Sequence, residues 1–201
     1  MPTTAHQLNA ELATLVERVE RSLVQVRNGR RGVGAGTVWH PAGLIVTSAH
    51  VASDGPLRVA FPNGGSLPAR ILAHDPDRDL AALVVDATGL PTIEVGRSRD
   101  LRPGQLVLAL GHPWGVPGAI TTGVVVGVGS DLPGMPHSRQ PWVVVNVRLR
   151  PGHSGGPLID AQGRMVAINT LLTGPAMGMA VPVDVVKAFL REAMGVRRVA
   201  A

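Results

Sequence analysis

Apolar positions change their spacing twice along the chain. Leu8, Leu12, Leu15, Val19 and Leu23 recur at three- and four-residue steps opposite Glu11, Glu17, Arg18 and Arg21. That period predicts one amphipathic helix over residues 1–23, with Thr4 and Gln7 placed to form a capping box. Such a helix docks on the body of the protein, on another subunit or on a membrane surface, and its mixed charges argue against the last. From residue 24 the spacing shortens to that of strands: 24–26, 37–39, 44–47, 57–61, 67–72 and 80–85 are short apolar runs separated by Gly, Pro, Asn and Asp. A second series follows at 105–110, 121–128, 142–147, 164–169 and 177–182, and 131–140 reads as an exposed loop. Helical spacing returns from Val183, with Val185, Val186, Phe189 and Leu190 on one face up to Met194.

The strands leave no room for crossover helices, which argues for closed antiparallel barrels rather than a parallel sheet. The expected organisation is an N-terminal helix over 1–23, a first β unit over 24–100, a second over 101–182, and a terminal helix and tail over 183–201. Composition agrees. With 201 residues, 45% hydrophobic and 16% charged, the chain holds one substantial core or two small ones sharing an interface. Its 25 Gly and 17 Pro suit many tight turns.

The net charge of +5 comes almost wholly from arginine, Lys187 being the single lysine. Arg18, Arg21, Arg27, Arg30 and Arg31 read as a solvated face, because no aromatic residues interleave them to stack bases. No nucleic-acid partner is expected. The absence of cysteine removes disulfides and thiolate metal sites. The polar opening, Met1 to Gln7, leads into no continuous apolar segment, so neither a secretory signal nor a transmembrane segment is read, and a cytoplasmic location is the default expectation. The glycines at 32–36 and 127–129 lack the lysine and the strand-to-helix setting of a phosphate-binding loop.

The chemistry concentrates in Gly152-His153-Ser154-Gly155-Gly156-Pro157. Small residues around one serine permit a sharp turn that exposes the hydroxyl and aims neighbouring amides at one point, as a developing oxyanion requires. A serine nucleophile needs a base, and the base needs a carboxylate to fix its tautomer. Of seven histidines, His50 alone closes a strongly apolar strand, beside Ser48 and Ala49; a satisfied structural histidine is the alternative. Among Asp75, Asp77 and Asp79, only Asp79 directly opens an apolar run, where partial burial calls for a partner. The three lack the continuation of a calcium loop. Strand continuation after Pro157, and a base far upstream, oppose the esterase-type nucleophile elbow.

These segments resemble the trypsin-like serine peptidases, and within them the high-temperature-requirement (HtrA/Deg) branch. Ile45 to Val51 is similar to the family's histidine segment, and Asp75 to Leu83 to its Asp-Pro-x-x-Asp-Leu-Ala-x-Leu segment. Gly111-His112-Pro113-Trp114-Gly115 is similar to its Gly-Asn-Pro-Phe-Gly, and Pro151 to Leu158 to its Pro-Gly-Asn-Ser-Gly-Gly-Pro-Leu. The resemblance spans residues 22–190. It implies an all-β fold of two six-stranded antiparallel barrels with terminal helices, and a cleft between the barrels holding His50, Asp79 and Ser154 as a triad. It further implies endoproteolysis through an acyl-enzyme, in the service of protein quality control, without cofactor or metal.

The Gly152 and Ser154 amides, helped by that of His153, are the expected oxyanion donors. Arg148, Leu149, Ile168 and Met179 are the expected substrate-pocket residues, with Arg148 at the pocket base. The partner is a polypeptide, and a homo-oligomer, a trimer in the resembling branch, is the expected assembly. Departures are His153 and Arg150, each where the branch has asparagine, and Asn146 where it has aspartate. No PDZ-like segment is read after the catalytic region. Two rivals stand beside the endopeptidase: a latent peptide-binding or chaperone-like protein, kept alive by His153 and Arg150, and an esterase.

Overall fold

The computed structural model describes residues 4–29, 32–53, 55–132, 140–172 and 177–199. His137 and most of the expected loop over 131–140 lie outside them, and Thr4, the expected cap, is the first residue of the first helix. The order is α1 (Thr4–Glu20), β1 (Leu23–Asn28), β2 (Gly32–His40), β3 (Leu44–Thr47), β4 (Leu57–Ala60), β5 (Ser66–Asp75) and β6 (Leu80–Val85). There follow β7 (Leu106–Gly111), β8 (Ala119–Gly129), β9 (Trp142–Val145), β10 (Pro157–Asp160), β11 (Met165–Leu172), β12 (Gly178–Pro182) and α2 (Val183–Val199).

The strands close into two antiparallel barrels, β1-β2-β3-β6-β5-β4 and β10-β11-β12-β9-β8-β7. The all-β expectation of two six-stranded barrels flanked by helices therefore holds. Period-two alternation explains both barrels and the joint between them. Ala81, Leu83 and Val85 face the interior of the first barrel with Val24, Val26 and Ile45. Leu80 and Ala82 point the other way, into a core shared with Leu108, Leu110, Ile159 and Ile168 of the second barrel. Val107 and Ala109 line the second interior with Val143, Val145 and Leu158. Strands buried on both faces read as unbroken apolar runs, which is why 80–85 and 106–110 show no polar alternation.

Several element bounds depart from the sequence reading, and two of them bear on the site. β5 continues past the apolar run to Asp75, because its pairing with β6 extends to Asp75 opposite Leu80. β9 stops at Val145 rather than 147, since its last partners, Val125 and Gly178, lie opposite that residue. Residues 146–150 then leave the sheet and lead to the serine turn. Asn146, on that approach, accepts the Val124 N–H through Oδ1 at 2.6 Å.

The helices attach differently. α2 buries Val183, Val186, Phe189 and Leu190 against the shared core. Arg78 ties it to the first barrel, pairing with Asp75 (2.5 Å) and Glu192 (2.6 Å) while its guanidinium lies over Phe189. α1 docks only by its C-terminal half: Val19 is buried, Leu12, Leu15 and Val16 pack on the shared core, and Leu8 stays 56% exposed. No helix among the described residues is long and apolar enough to cross a membrane.

Candidate active site

Both polar groups of the first barrel come from strand ends. β3 ends at Thr47, after which Ser48 and Ala49 are buried and His50 emerges at the surface. Between β5 and β6, Asp75 Oδ1 accepts the Arg78 N–H (2.9 Å) and closes a turn that delivers Asp79. Asp79 has φ +52, in the left-handed region that aspartate tolerates better than most residues. Its carboxylate meets His50 Nδ1 at 2.9 Å through Oδ1 and 3.0 Å through Oδ2, and Oδ1 also accepts the His50 backbone N–H at 3.1 Å. An ionised carboxylate only accepts, so in the neutral imidazole the proton belongs on Nδ1 and the lone pair on Nε2. Burial works to raise the Asp79 carboxyl, but hydrogen bonds from His50 and Thr170 outweigh it and hold the group below the ordinary carboxylate range.

The second barrel contributes a turn. Pro151 and Gly152 are its central residues, and the His153 N–H donates to Arg150 O at 2.9 Å. Proline fixes φ near −65°, and Gly152 has φ +103, the combination of a type II turn. A Cβ on Gly152 would collide with His112 O, so only glycine fits. Among the described backbone bonds, the His153 amide is spent inside this turn, whereas the Gly152 and Ser154 amides have no partner. The expected assistance from the His153 amide is therefore corrected, and two donors remain.

The Ser154 hydroxyl donates to Thr170 O at 2.9 Å, and among the described residues no hydrogen bond joins it to His50. Bonds between the barrels set the serine's position: Ala35 N–H donates to Ser154 O (2.8 Å) and Ser48 Oγ to Asn169 O (3.3 Å). Thr170 was missed in the sequence reading. Its hydroxyl donates to Asp79 Oδ2 while its carbonyl receives the Ser154 hydroxyl, so it touches both barrels' contributions. The available signal was a polar pair, Asn169-Thr170, interrupting an apolar strand.

His153 is buried, its Nδ1 lies 3.2 Å from both the N–H and the carbonyl of Arg150, and its Nε2 has no hydrogen-bond partner among the described residues. Burial pushes the His153 imidazole below its ordinary value, opposed by the Arg150 backbone. Burial lowers His112 likewise, and its proximity to His153 adds to the effect.

The expected pocket residues are only partly brought together. Arg148 is solvent-exposed. Ile168 is fully buried in the shared core. Leu149 packs into the second barrel's interior, and Met179 is buried on β12 opposite Leu171. Residues 173–176, the connection between β11 and β12, lie outside the described residues.

A model of the trypsin-like peptidase domain matches residues 34–168. Serine protease HTRA1A of Danio rerio is 34% identical, over 90% of this chain and 41% of its own length. The chloroplastic protease Do-like 1 of Arabidopsis thaliana is 36% identical, over 87% and 42%. A probable periplasmic DegP-like serine endoprotease of Pseudomonas fluorescens is 34% identical, over 85% and 38%. The chain thus spans about two fifths of the length of these relatives. The solved HtrA-type protease AlgW with tripeptide superposes at TM-score 0.83 with 27% identity, covering 89% of this chain and 62% of that one. Relatives whose names state a compartment are chloroplastic or periplasmic, which overturns the cytoplasmic expectation; a polar opening segment did not carry that conclusion. Two barrels, the ordered motifs and these likenesses place the chain in one family: it belongs to the trypsin-like serine peptidases, in their HtrA/DegP branch.

Proposed function

We propose that this chain is a serine endopeptidase that cleaves extended or unfolded polypeptide through an acyl-enzyme. The observation that carries the reading is the His50–Asp79 pair, linked through Thr170 to Ser154, whose amide and that of Gly152 have no partner among the described backbone bonds. In the proposed cycle the Ser154 hydroxyl turns from Thr170 O to His50 Nε2. His50 takes its proton as Oγ attacks the scissile carbonyl, then returns it to the leaving amine; water repeats the sequence to release the acyl group. The Gly152 and Ser154 N–H groups receive the oxyanion in each tetrahedral intermediate. β11 supports an extended substrate: its pairing with β10 ends at Ile168, and among the described residues Leu171 and Leu172 have no strand partner on that side. The neighbour solved with a tripeptide fits that view of the substrate.

A fluorophosphonate probe tests the reading, applied to the intact protein, Ser154→Ala and His50→Ala. Labelling of the intact protein alone, together with hydrolysis of unfolded casein, is expected. One observation favours the second reading, a latent peptide-binding protein: the Ser154 hydroxyl rests on Thr170 O. No labelling of a folded sample would move the conclusion there. A homo-trimer belongs to the leading reading through the family resemblance, and a threefold molar mass by light scattering is its expected result.

A further inference from the structure

Loop 112–116 and turn 150–153 are fastened to each other at both ends. At one end, the His112 N–H donates to Gly152 O at 2.8 Å. Gly111 lies so close beneath the turn that a Cβ there would sit 2.6 Å from both Gly152 O and His153 Cα. At the other end, the Arg150 guanidinium lies over the Trp114 ring, 4.8 Å from its centroid. Trp114 is 70% exposed and has φ +53. A large ring held at the surface on left-handed backbone adds nothing to either barrel core, so burial does not explain its place.

Arg150 is where the surface ring meets the turn. Its carbonyl accepts the His153 N–H, and its own N–H donates to His153 Nδ1. Fixing Arg150 therefore fixes both bonds that shape the turn, and with them the direction of the free Gly152 and Ser154 amides. Neither Arg150 nor His153 is the branch's usual asparagine, and Trp114 stands at its usual phenylalanine.

The geometry points to Trp114 as a positioning residue for the oxyanion turn, acting through the Arg150 guanidinium; this rests on the endopeptidase reading above. The stack biases the turn toward the arrangement seen here before substrate arrives. An exposed cation–aromatic contact changes a two-state population by roughly two- to fivefold, which bounds the expected effect.

The test compares the intact protein with Trp114→Leu, which keeps apolar bulk without a ring face, and Trp114→Phe, which keeps a face. Trp114→Leu is expected to lower kcat on a fluorogenic peptide by about two- to fivefold at unchanged KM and Tm. Exchange of the His153 amide, read by hydrogen–deuterium exchange, is expected to quicken by the same factor, and Trp114→Phe to restore most of both. Unchanged kcat and exchange in Trp114→Leu would overturn the inference. So would a Phe variant as impaired as Leu, or a fall in Tm that tracks the fall in kcat. If the intact protein labels and cleaves nothing, the endopeptidase reading falls by itself. The exchange comparison then still decides: faster His153 exchange in Trp114→Leu supports the stack's role, and equal exchange overturns it.

Discussion

The two barrels hold their shares of the site by different chemistry. The first joins side chain to side chain: His50 and Asp79 meet in a two-oxygen contact backed by the His50 amide. The second relies on backbone: a Pro-Gly turn, closed by Arg150 and His153, carries the serine and its free amides. A side-chain pair fails when one functional group changes and leaves the fold alone. A backbone turn fails when a Cβ is added, whatever the chemistry of the side chain. Thr170 bridges the two, and in the resting arrangement it holds the Ser154 hydroxyl that the proposed cycle would hand to His50.

Asp79→Asn attacks the side-chain half and has the largest expected effect. An amide no longer offers two acceptor oxygens to Nδ1–H, so the imidazole tautomer is lost, and kcat is expected to fall about 10⁴-fold with the barrels intact. Steady-state hydrolysis with a circular dichroism control measures this. The same carboxylate carries a pH signature. Its folded pKa is depressed, so its contribution to stability is complete above the unfolded value of about 3.9 and is lost as pH falls through the lower, folded value. Acid unfolding followed from pH 5 to 2 should show that component in the intact protein and not in Asp79→Asn.

Gly152→Ala attacks the backbone half. The new methyl meets His112 O at a φ of +103, so the turn must rearrange and its two amides lose their common target. Loss of oxyanion donors costs roughly 10²- to 10³-fold in kcat. Comparable kcat in Gly152→Ala and the intact protein would show that the second half does not depend on this turn.

That contrast also explains what was legible in the sequence. Side-chain chemistry at strand ends left a signal: His50 after an apolar strand and Asp79 before one were favoured by pattern and the cost of burying a charge, and the family resemblance joined them to Ser154. The barrels were equally readable, because strands buried on both faces leave long apolar runs such as 80–85. What backbone does at a site was harder to read. Whether the His153 amide points into the cleft or back to Arg150 depends on a peptide orientation that no residue type specifies. Thr170 acts through a hydroxyl and a carbonyl set by the register of β11, which no residue type in the strand announces. The half-docked α1 was hidden for another reason: its apolar stripe runs evenly through Leu8, while the surface beneath it ends near Leu12.

Thr170→Val weakens the bridge between the halves. Valine keeps the shape and removes the hydroxyl, leaving Asp79 Oδ2 with one partner fewer. A hydrogen bond to a charged group is worth about 1.5–3 kcal/mol, so kcat is expected to drop roughly tenfold, with the Thr170 carbonyl still in place. A parallel rise in the acid-unfolding midpoint would tie the loss to the Asp79 carboxyl rather than to packing.

The smallest expected effect lies in the backbone half and is thermal. His112 and His153 are buried, and burial holds both imidazoles below their ordinary value. The unfolded chain therefore takes up protons first as the solution is acidified. Stability is complete above the unfolded value of about 6.5 and is lost as pH falls from there through the folded values. Melting curves between pH 7.5 and 5 should show Tm falling by about a few degrees in the intact protein. His153→Asn, which removes one buried imidazole while keeping an acceptor for the Arg150 N–H, should fall less steeply. Parallel slopes would place the acid sensitivity outside the turn and weaken the case that side chains, as well as backbone, hold the second half together.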